Sequence, residues 1–160
     1  MLEAYIHYIS SVSNPEPLVV LDYDAELVMN KLKEMNRADL IKWFVFPGFI
    51  RANEMPLIYN AATLFVYPSL RESFGLPILE AMGCGTPVIT SNTSSMPEIG
   101  GSAAVYIDPY NHLDIAEKID VVLRDRSLQQ KLSLKGVQRA AEFSWKTSAL
   151  QLLDLYRSMP

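Results

Sequence analysis

Arg71-Glu72-Ser73-Phe74-Gly75-Leu76-Pro77-Ile78-Leu79-Glu80 is the most informative part of the chain. An apolar run at 64–67 precedes it and predicts a buried strand. Pro77 suits the first turn of a helix, where the amide that proline lacks would have no partner. Gly85 can adopt the left-handed conformation that ends a helix. The pattern therefore predicts a strand, a loop and a helix over about 77–84.

The start of this predicted helix is a candidate anion site with a carboxylate on each side. The backbone N–H groups of Gly75 and Leu76 have no acceptor within the helix, so they can hold a phosphate. Glu72 lies in the loop before the helix, and Glu80 lies one turn into it. Both carboxylates would be used by a ligand with hydroxyl groups at both ends. A nucleotide-sugar, which has a ribose at one end and a hexose at the other, is such a ligand.

Several blocks of the sequence resemble the retaining glycosyltransferases with the GT-B fold, a group that includes bacterial mannosyl- and glucosyltransferases. Glu72, the run 73–77 and Glu80 match the paired-glutamate motif of that family. The resemblance covers residues 17–158, and further blocks follow in the family's order. These are Tyr59-Asn60-Ala61-Ala62, Glu80-Ala81-Met82-Gly83-Cys84-Gly85-Thr86-Pro87-Val88-Ile89, Ser95-Met96-Pro97-Glu98 and Phe143-Ser144-Trp145.

The resemblance implies a role for each matching residue. Glu80 would accept hydrogen bonds from the ribose hydroxyls, and Glu72, the implied catalytic residue, would orient hydroxyls of the donor sugar. Backbone amides at the helix start would hold the distal phosphate and stabilise the leaving group. No metal and no other cofactor is implied. The implied donor-binding residues beside Glu80 are Ser73, Phe74, Gly75, Leu76, Arg71 and Ile50, the last in the loop that contacts the base.

Strands and helices alternate along the chain, which predicts an α/β fold. Each predicted strand is an unbroken apolar run, typical of a parallel sheet with helices on both faces. The resemblance implies a Rossmann-like sheet that lacks the family's first strand. Predicted strands lie at 18–21, 43–46, 64–67, 88–90 and 104–107.

Polar residues mark the expected helix starts. In the helix after Asp24 we expect four apolar side chains to face inward, and we expect Trp145 to be a packing anchor. Those four side chains are Leu27, Val28, Leu32 and Met35. The expected caps are Asp24, Asn53, Asn111, Ser127 with Gln130, and Ser144.

The domain organisation is expected to be one donor-binding domain over residues 1–160, the C-terminal half of a two-domain enzyme. The acceptor, a saccharide or a lipid-linked one, would bind through an N-terminal domain that this chain lacks. The basic pair that follows the family's first strand is also lacking, and Arg51 and Arg71 are the basic residues near the predicted site. We therefore expect weakened phosphate binding and no sugar transfer by this chain alone.

Composition excludes several classes of protein. A net charge of −4 and the lack of a basic run argue against nucleic acid as a partner. The single cysteine rules out an internal disulfide. No apolar run approaches the ~20 residues of a membrane span. We expect a cytoplasmic protein, or one peripheral at the inner membrane in the full-length enzyme.

Three alternatives stay open at this point. Asp22-Tyr23-Asp24, after an apolar strand, resembles the metal-holding motif of GT-A glycosyltransferases, although Asp24 also suits a helix cap, which we favour. The chain could be a nucleotide-binding module without transfer activity. It could also be a sugar-nucleotide epimerase of GT-B architecture, which would need more carboxylates and histidines around the site.

Overall fold

Helices and strands alternate along the chain in the computed structural model, which describes residues 1–21 and 25–159. The strands are β1 (Leu18–Val19), β2 (Phe44–Val45), β3 (Phe65–Tyr67), β4 (Val88–Ser91) and β5 (Ala104–Ile107). The helices are α1 (Leu2–Ser11), α2 (Ala25–Glu34), α3 (Met55–Ala61), α4 (Leu76–Gly83), α5 (Met96–Gly100), α6 (His112–Arg124), α7 (Arg126–Ala141) and α8 (Trp145–Ser158). Two 3₁₀ segments, Ala38–Trp43 and Gly101–Ala103, lead into β2 and β5.

All of the described strand pairs are parallel, in two sheets. β1 pairs with β2, and β3, β4 and β5 form a second sheet in that order. In the doubly wound order 3-2-1-4-5-6, two strands lie on one side of the first strand and three on the other. The observed sheets of two and three strands correspond to the strands on the two sides of that first strand.

Helices cover both faces of the larger sheet, as predicted. Successive residues of β4 point to opposite faces. Ile89 belongs to a core with α1, α2, α6 and the smaller sheet, whereas Val88 belongs to a core with α3, α4 and α5. β4 is buried throughout because it lies between two strands, but β3, at the edge, is only half-buried.

Two of the predicted caps are confirmed by hydrogen bonds. The Asn111 side chain accepts from the backbone N–H groups of Leu113 and Asp114 at the start of α6. The Ser144 hydroxyl accepts from the N–H of Thr147 at the start of α8. Asp22 and Asp24, the basis of the GT-A alternative and of one predicted cap, lie outside the described residues.

Two other predicted caps are wrong. α3 has Glu54 at its N-cap position instead of Asn53, and the Glu54 carboxylate accepts from the N–H of Arg51. α7 begins earlier than the Ser127 pattern predicts, because the carboxylate of Asp125 accepts from the N–H of Leu128 and caps the helix there.

Two predictions of burial are also wrong. Leu27 is 55% exposed, because α2 buries only the face that carries Val28 and Leu32. Trp145 is 80% exposed and is not a packing anchor within this chain, since α8 buries no residue. α5, which sequence reasoning missed, follows the loop after β4 and begins one residue before Pro97.

Candidate functional site

The loop between β3 and α4 forms the centre of the candidate site. Gly75 ends this loop with φ +100°, a left-handed conformation that favours glycine. A Cβ atom at this position would lie 3.2 Å from Cδ1 of Ile78. Pro77 lies in the first turn of α4 as predicted, and the helix ends before Gly85, whose φ is +76°. In the described part of the chain no acceptor contacts the N–H groups of Gly75 or Leu76.

Hydroxyl groups from the loop after β4 hold the loop before α4 in place. The Ser94 hydroxyl donates to the carbonyl of Glu72 at 2.7 Å and accepts from the N–H of the same residue at 3.2 Å. The Ser95 hydroxyl lies 2.9 Å from the carbonyl of Phe74 and 3.1 Å from that of Glu72. The backbone on both sides of Ser73 is therefore fixed to the neighbouring loop.

The Glu72 carboxylate is oriented by two donors from the end of β3. The Tyr67 hydroxyl donates to Oε1 of Glu72 at 2.5 Å, and the Ser69 hydroxyl donates to the same oxygen at 3.0 Å. Among the described residues no donor contacts Oε2 of Glu72. One carboxylate oxygen is thus held by the protein and the other can accept from a ligand.

The Glu80 carboxylate is held in the same manner by a tyrosine of α3. The Tyr59 hydroxyl donates to Oε2 of Glu80 at 3.1 Å. Tyr59 is buried, and its backbone carbonyl accepts from the hydroxyl of Thr86 at 2.6 Å. No donor to Oε1 of Glu80 occurs within residues 1–21 and 25–159.

Both tyrosine hydroxyls keep their protons well above neutral pH. Burial, the hydrogen bond to Glu72 and the charge of that carboxylate together raise the pKa of Tyr67 to about 12. Burial, followed by the charge of Glu80 and the hydrogen bond to it, also raises the pKa of Tyr59. Each phenol is therefore a donor to its glutamate at physiological pH.

Two open cavities meet at Glu80. One, of about 580 Å³, lies between α4 and the start of α8. Its lining includes Phe74, Leu76, Phe143 and Trp145. The other, of about 520 Å³, lies between α3 and α4 and is lined by residues that include Tyr59 and Cys84. Phe74 and Phe143, which both line the first cavity, pack edge to face with their ring centres 5.9 Å apart.

The other residues predicted for the site, Arg71, Ser73 and Ile50, are exposed or half-buried. Arg71 and Ser73 are exposed, and neither Arg51 nor Arg71 forms an ion pair with a described residue. Ile50 is half-buried in the loop after β2, and its neighbour Ala52 lines the cavity between α3 and α4. The structure therefore brings Phe74, Leu76 and Glu80 together in the lining of one cavity.

Sequence reasoning missed the groups that orient the two glutamates. Tyr59 appeared only as the first residue of a matching block, and Tyr67 only as the end of an apolar strand. Ser95 likewise appeared only as the first residue of a matching block, and Ser94 gave no signal beyond a polar loop. Tyr59 and Glu80 are 21 residues apart, so neither spacing nor periodicity could pair them.

Within the described ranges, no cluster of three or more histidine, cysteine, aspartate or glutamate side chains could hold a metal ion. The same residues include no helix long and apolar enough to cross a membrane.

Comparison with known proteins identifies the family. The profile described as "Glycosyl transferases group 1" matches residues 18–139. The chain belongs to this family. It is 40% identical over 115 residues to the O-antigen chain mannosyltransferase B of Escherichia coli, a match that covers 72% of this chain and 30% of the relative. The chain thus spans about a third of that relative's length.

Solved structures of similar proteins confirm the predicted fold class. The C-terminal domain of a group 1 glycosyl transferase (LpcC) from Francisella tularensis matches with a TM-score of 0.73 and 30% identity, covering 88% of this chain and 75% of that domain. Sucrose-phosphate synthase from Thermosynechococcus elongatus matches with a TM-score of 0.79 and 28% identity, covering 98% of this chain and 41% of the synthase. The chain has the fold of a GT-B C-terminal domain.

Proposed function

We propose that this chain is the donor-binding domain of a retaining glycosyltransferase that moves a hexose from a nucleoside-diphosphate sugar to a saccharide or lipid-linked acceptor. The observation that carries the proposal is the arrangement at the start of α4. Two glutamates, each held on one oxygen by a tyrosine, flank a helix N-terminus where no described residue accepts from the amides of Gly75 and Leu76. Family membership favours this function over the epimerase alternative.

The donor would lie across the start of α4. The amides of Gly75 and Leu76, at the positive end of the helix dipole, would bind the distal phosphate and stabilise the leaving diphosphate. Oε1 of Glu80 would accept from the ribose hydroxyls, beside the cavity between α3 and α4. Oε2 of Glu72 would accept from hydroxyls of the hexose. The loop of Ile50 would meet the base, and Arg71 and Ser73 would border the phosphates.

Transfer itself would need the domain that binds the acceptor. We propose that the whole enzyme has an N-terminal acceptor domain and acts in the cytoplasm or at the inner face of the membrane. This chain alone should therefore bind a donor without transferring its sugar. Turnover by the purified chain with generic acceptors, above a control without protein, would contradict the proposal that transfer needs a separate acceptor domain.

Thermal-shift titration against UDP-, GDP- and ADP-hexoses tests donor binding. A ligand present at 100 times its dissociation constant stabilises a domain by about 2.7 kcal/mol, which raises the Tm by several degrees at this size. We expect one base to stabilise the chain selectively. If no nucleotide changes the Tm at millimolar concentration, the donor-binding assignment is wrong.

Metal independence is part of the proposal, because amides rather than carboxylates would contact the diphosphate. The affinity for the selected nucleotide should be the same in EDTA and in excess manganese. A tenfold gain with manganese that disappears in Asp22→Ala would instead indicate a metal site at Asp22 and contradict metal independence.

A further inference from the structure

A row of three aromatic rings connects the two glutamates of the site. The rings of Tyr59 and Phe65 pack edge to face with centres 5.3 Å apart, and those of Phe65 and Tyr67 stack with centres 5.7 Å apart. The hydroxyl at one end of this row donates to Glu80, and the hydroxyl at the other end donates to Glu72. The two carboxylates are thereby attached to one packed unit.

The aromatic row is itself anchored to β4 and to the turn between α4 and β4. The carbonyl of Tyr67 accepts from the Thr90 hydroxyl at 3.0 Å, and the carbonyl of Tyr59 accepts from that of Thr86. Thr86 and Thr90 are both buried. These bonds hold the backbone at both ends of the row, and the ring contacts restrain the position of each hydroxyl.

Each hydrogen bond also decides which oxygen faces a ligand. A carboxylate whose one oxygen accepts from a fixed phenol presents its other oxygen in one direction. Without its phenol, the Glu80 carboxylate could rotate about its terminal torsion, which is broad in glutamate, and Glu72 would keep only the hydrogen bond from the Ser69 hydroxyl. A ligand would then lose binding free energy to the ordering of the side chain.

We propose that Tyr59 and Tyr67 are positioning residues that divide donor recognition between them, Tyr59 acting through Glu80 on the ribose and Tyr67 acting through Glu72 on the hexose. This inference rests on the proposed function, because it assumes that the two glutamates contact the donor. It adds the two phenols, and the aromatic row that fixes their spacing, to the binding machinery.

The test is isothermal titration of the full chain with UDP, GDP and ADP, their hexose conjugates and their 2′-deoxy forms. Tyr59→Phe should weaken the free diphosphate and its hexose conjugate alike, by about three- to tenfold. It should also reduce the penalty for removing the 2′-hydroxyl. Tyr67→Phe should weaken only the hexose conjugate by a similar factor. If the two tyrosines had only a structural role, the two variants would not differ in which ligand they weaken.

A double-mutant cycle shows whether each phenol acts through its glutamate. Tyr59→Phe should cost little further affinity in a Glu80→Gln background, and Tyr67→Phe little further in Glu72→Gln. The matched control is Tyr106→Phe, which removes a phenolic hydrogen bond to the carbonyl of Gly101 away from both glutamates. Its affinities should equal those of the unmutated chain.

The outcomes separate this inference from the proposed function. If the unmutated chain binds none of the nucleotides, the proposed function fails and this inference fails with it. If the chain binds a nucleotide but the tyrosine variants act additively with the glutamate variants, or no more strongly than Tyr106→Phe, only the positioning role is overturned.

Discussion

Gly75 and Gly85 bound α4, and both have left-handed backbones that a Cβ atom would strain. At each position the added Cβ would also meet a side-chain atom at 3.2 Å: Cδ1 of Ile78 at one end of the helix and Oγ of Ser133 at the other. The two glycines are therefore matched in conformation and in crowding. They differ in that only Gly75 lies at the candidate phosphate site.

Alanine at these two positions should separate stability from binding. Each substitution should destabilise the chain by about 1–2 kcal/mol, the usual penalty for a left-handed residue with a Cβ. Gly75→Ala should also weaken nucleotide binding at least tenfold, because it moves the amides that hold the phosphate, whereas Gly85→Ala should not. Chemical denaturation and titration calorimetry measure the two effects. Equal losses of affinity in both variants would contradict the phosphate site.

The loop before α4 shows which residue contacts could be predicted from sequence. Phe74, Leu76 and Glu80 were predicted for the site, and all three line one cavity. The donors to the glutamates could not be predicted, because Tyr59 meets Glu80 only through the packing of α3 against α4. Hydroxyls also carry no distinctive pattern, so neither Ser94 nor Ser95 could be predicted to hold the loop that carries Glu72.

At the level of elements, α7 is tied to α5 by one arginine. The Arg139 guanidinium donates to the carbonyls of Ile99 at 3.0 Å and Glu98 at 2.5 Å, near the end of α5. It also forms an ion pair with Glu142 and lies 4.7 Å from the ring centre of Phe143. Because Phe143 borders the cavity beside Glu80, this contact also shapes the candidate site.

Removing the Arg139 guanidinium should destabilise the domain. Arg139→Met leaves two carbonyls of α5 without a charged donor, which should cost about 2 kcal/mol. The Tm should therefore fall by roughly 4–8 °C for a domain of this size. Arg157→Met is the control, because among the described residues Arg157 pairs only with Asp154, on the exposed surface at 3.9 Å. If the two variants melt at the same temperature, Arg139 does not hold α5 in place.

Helix starts were predicted correctly where one capping side chain stood just before the apolar pattern. Asn111 and Ser144 cap α6 and α8 because each is the residue with a suitable side chain just before an apolar pattern. Ser127 was wrong because Asp125 offers a carboxylate two residues earlier. α8 buries no residue within the part of the chain that the structure describes.

Tyrosines with raised pKa values should make the stability of the whole molecule depend on alkaline pH. Burial raises the pKa of Tyr5, Tyr59 and Tyr67 above the value of 10.0 for a free tyrosine. Above pH 10 the unfolded chain would lose these protons while the folded chain keeps them. Unfolding is then coupled to proton release, so stability should be fully present below pH 10 and decrease as the pH rises towards 12.

Tyrosinate absorbance and Tm, measured together as the pH is raised, test this response. The Tm should start to fall near pH 10, and part of the absorbance change should be delayed until the chain unfolds. In Tyr67→Phe the fall should be shallower. If all tyrosines of the folded chain titrate as freely as those in denaturant, the packing of these rings is not as described.

The two glutamates test the central claim, that one donor lies across the start of α4 with its ribose at Glu80 and its hexose at Glu72. Titration calorimetry compares the selected nucleoside diphosphate and its hexose conjugate against each variant. A hydrogen bond to a charged group contributes about 1.5–3 kcal/mol, or roughly ten- to a hundredfold in affinity. Glu80→Gln should weaken both ligands by this factor, and Glu72→Gln should weaken only the hexose conjugate. If Glu72→Gln weakens the free diphosphate as much as Glu80→Gln does, the donor does not lie as proposed.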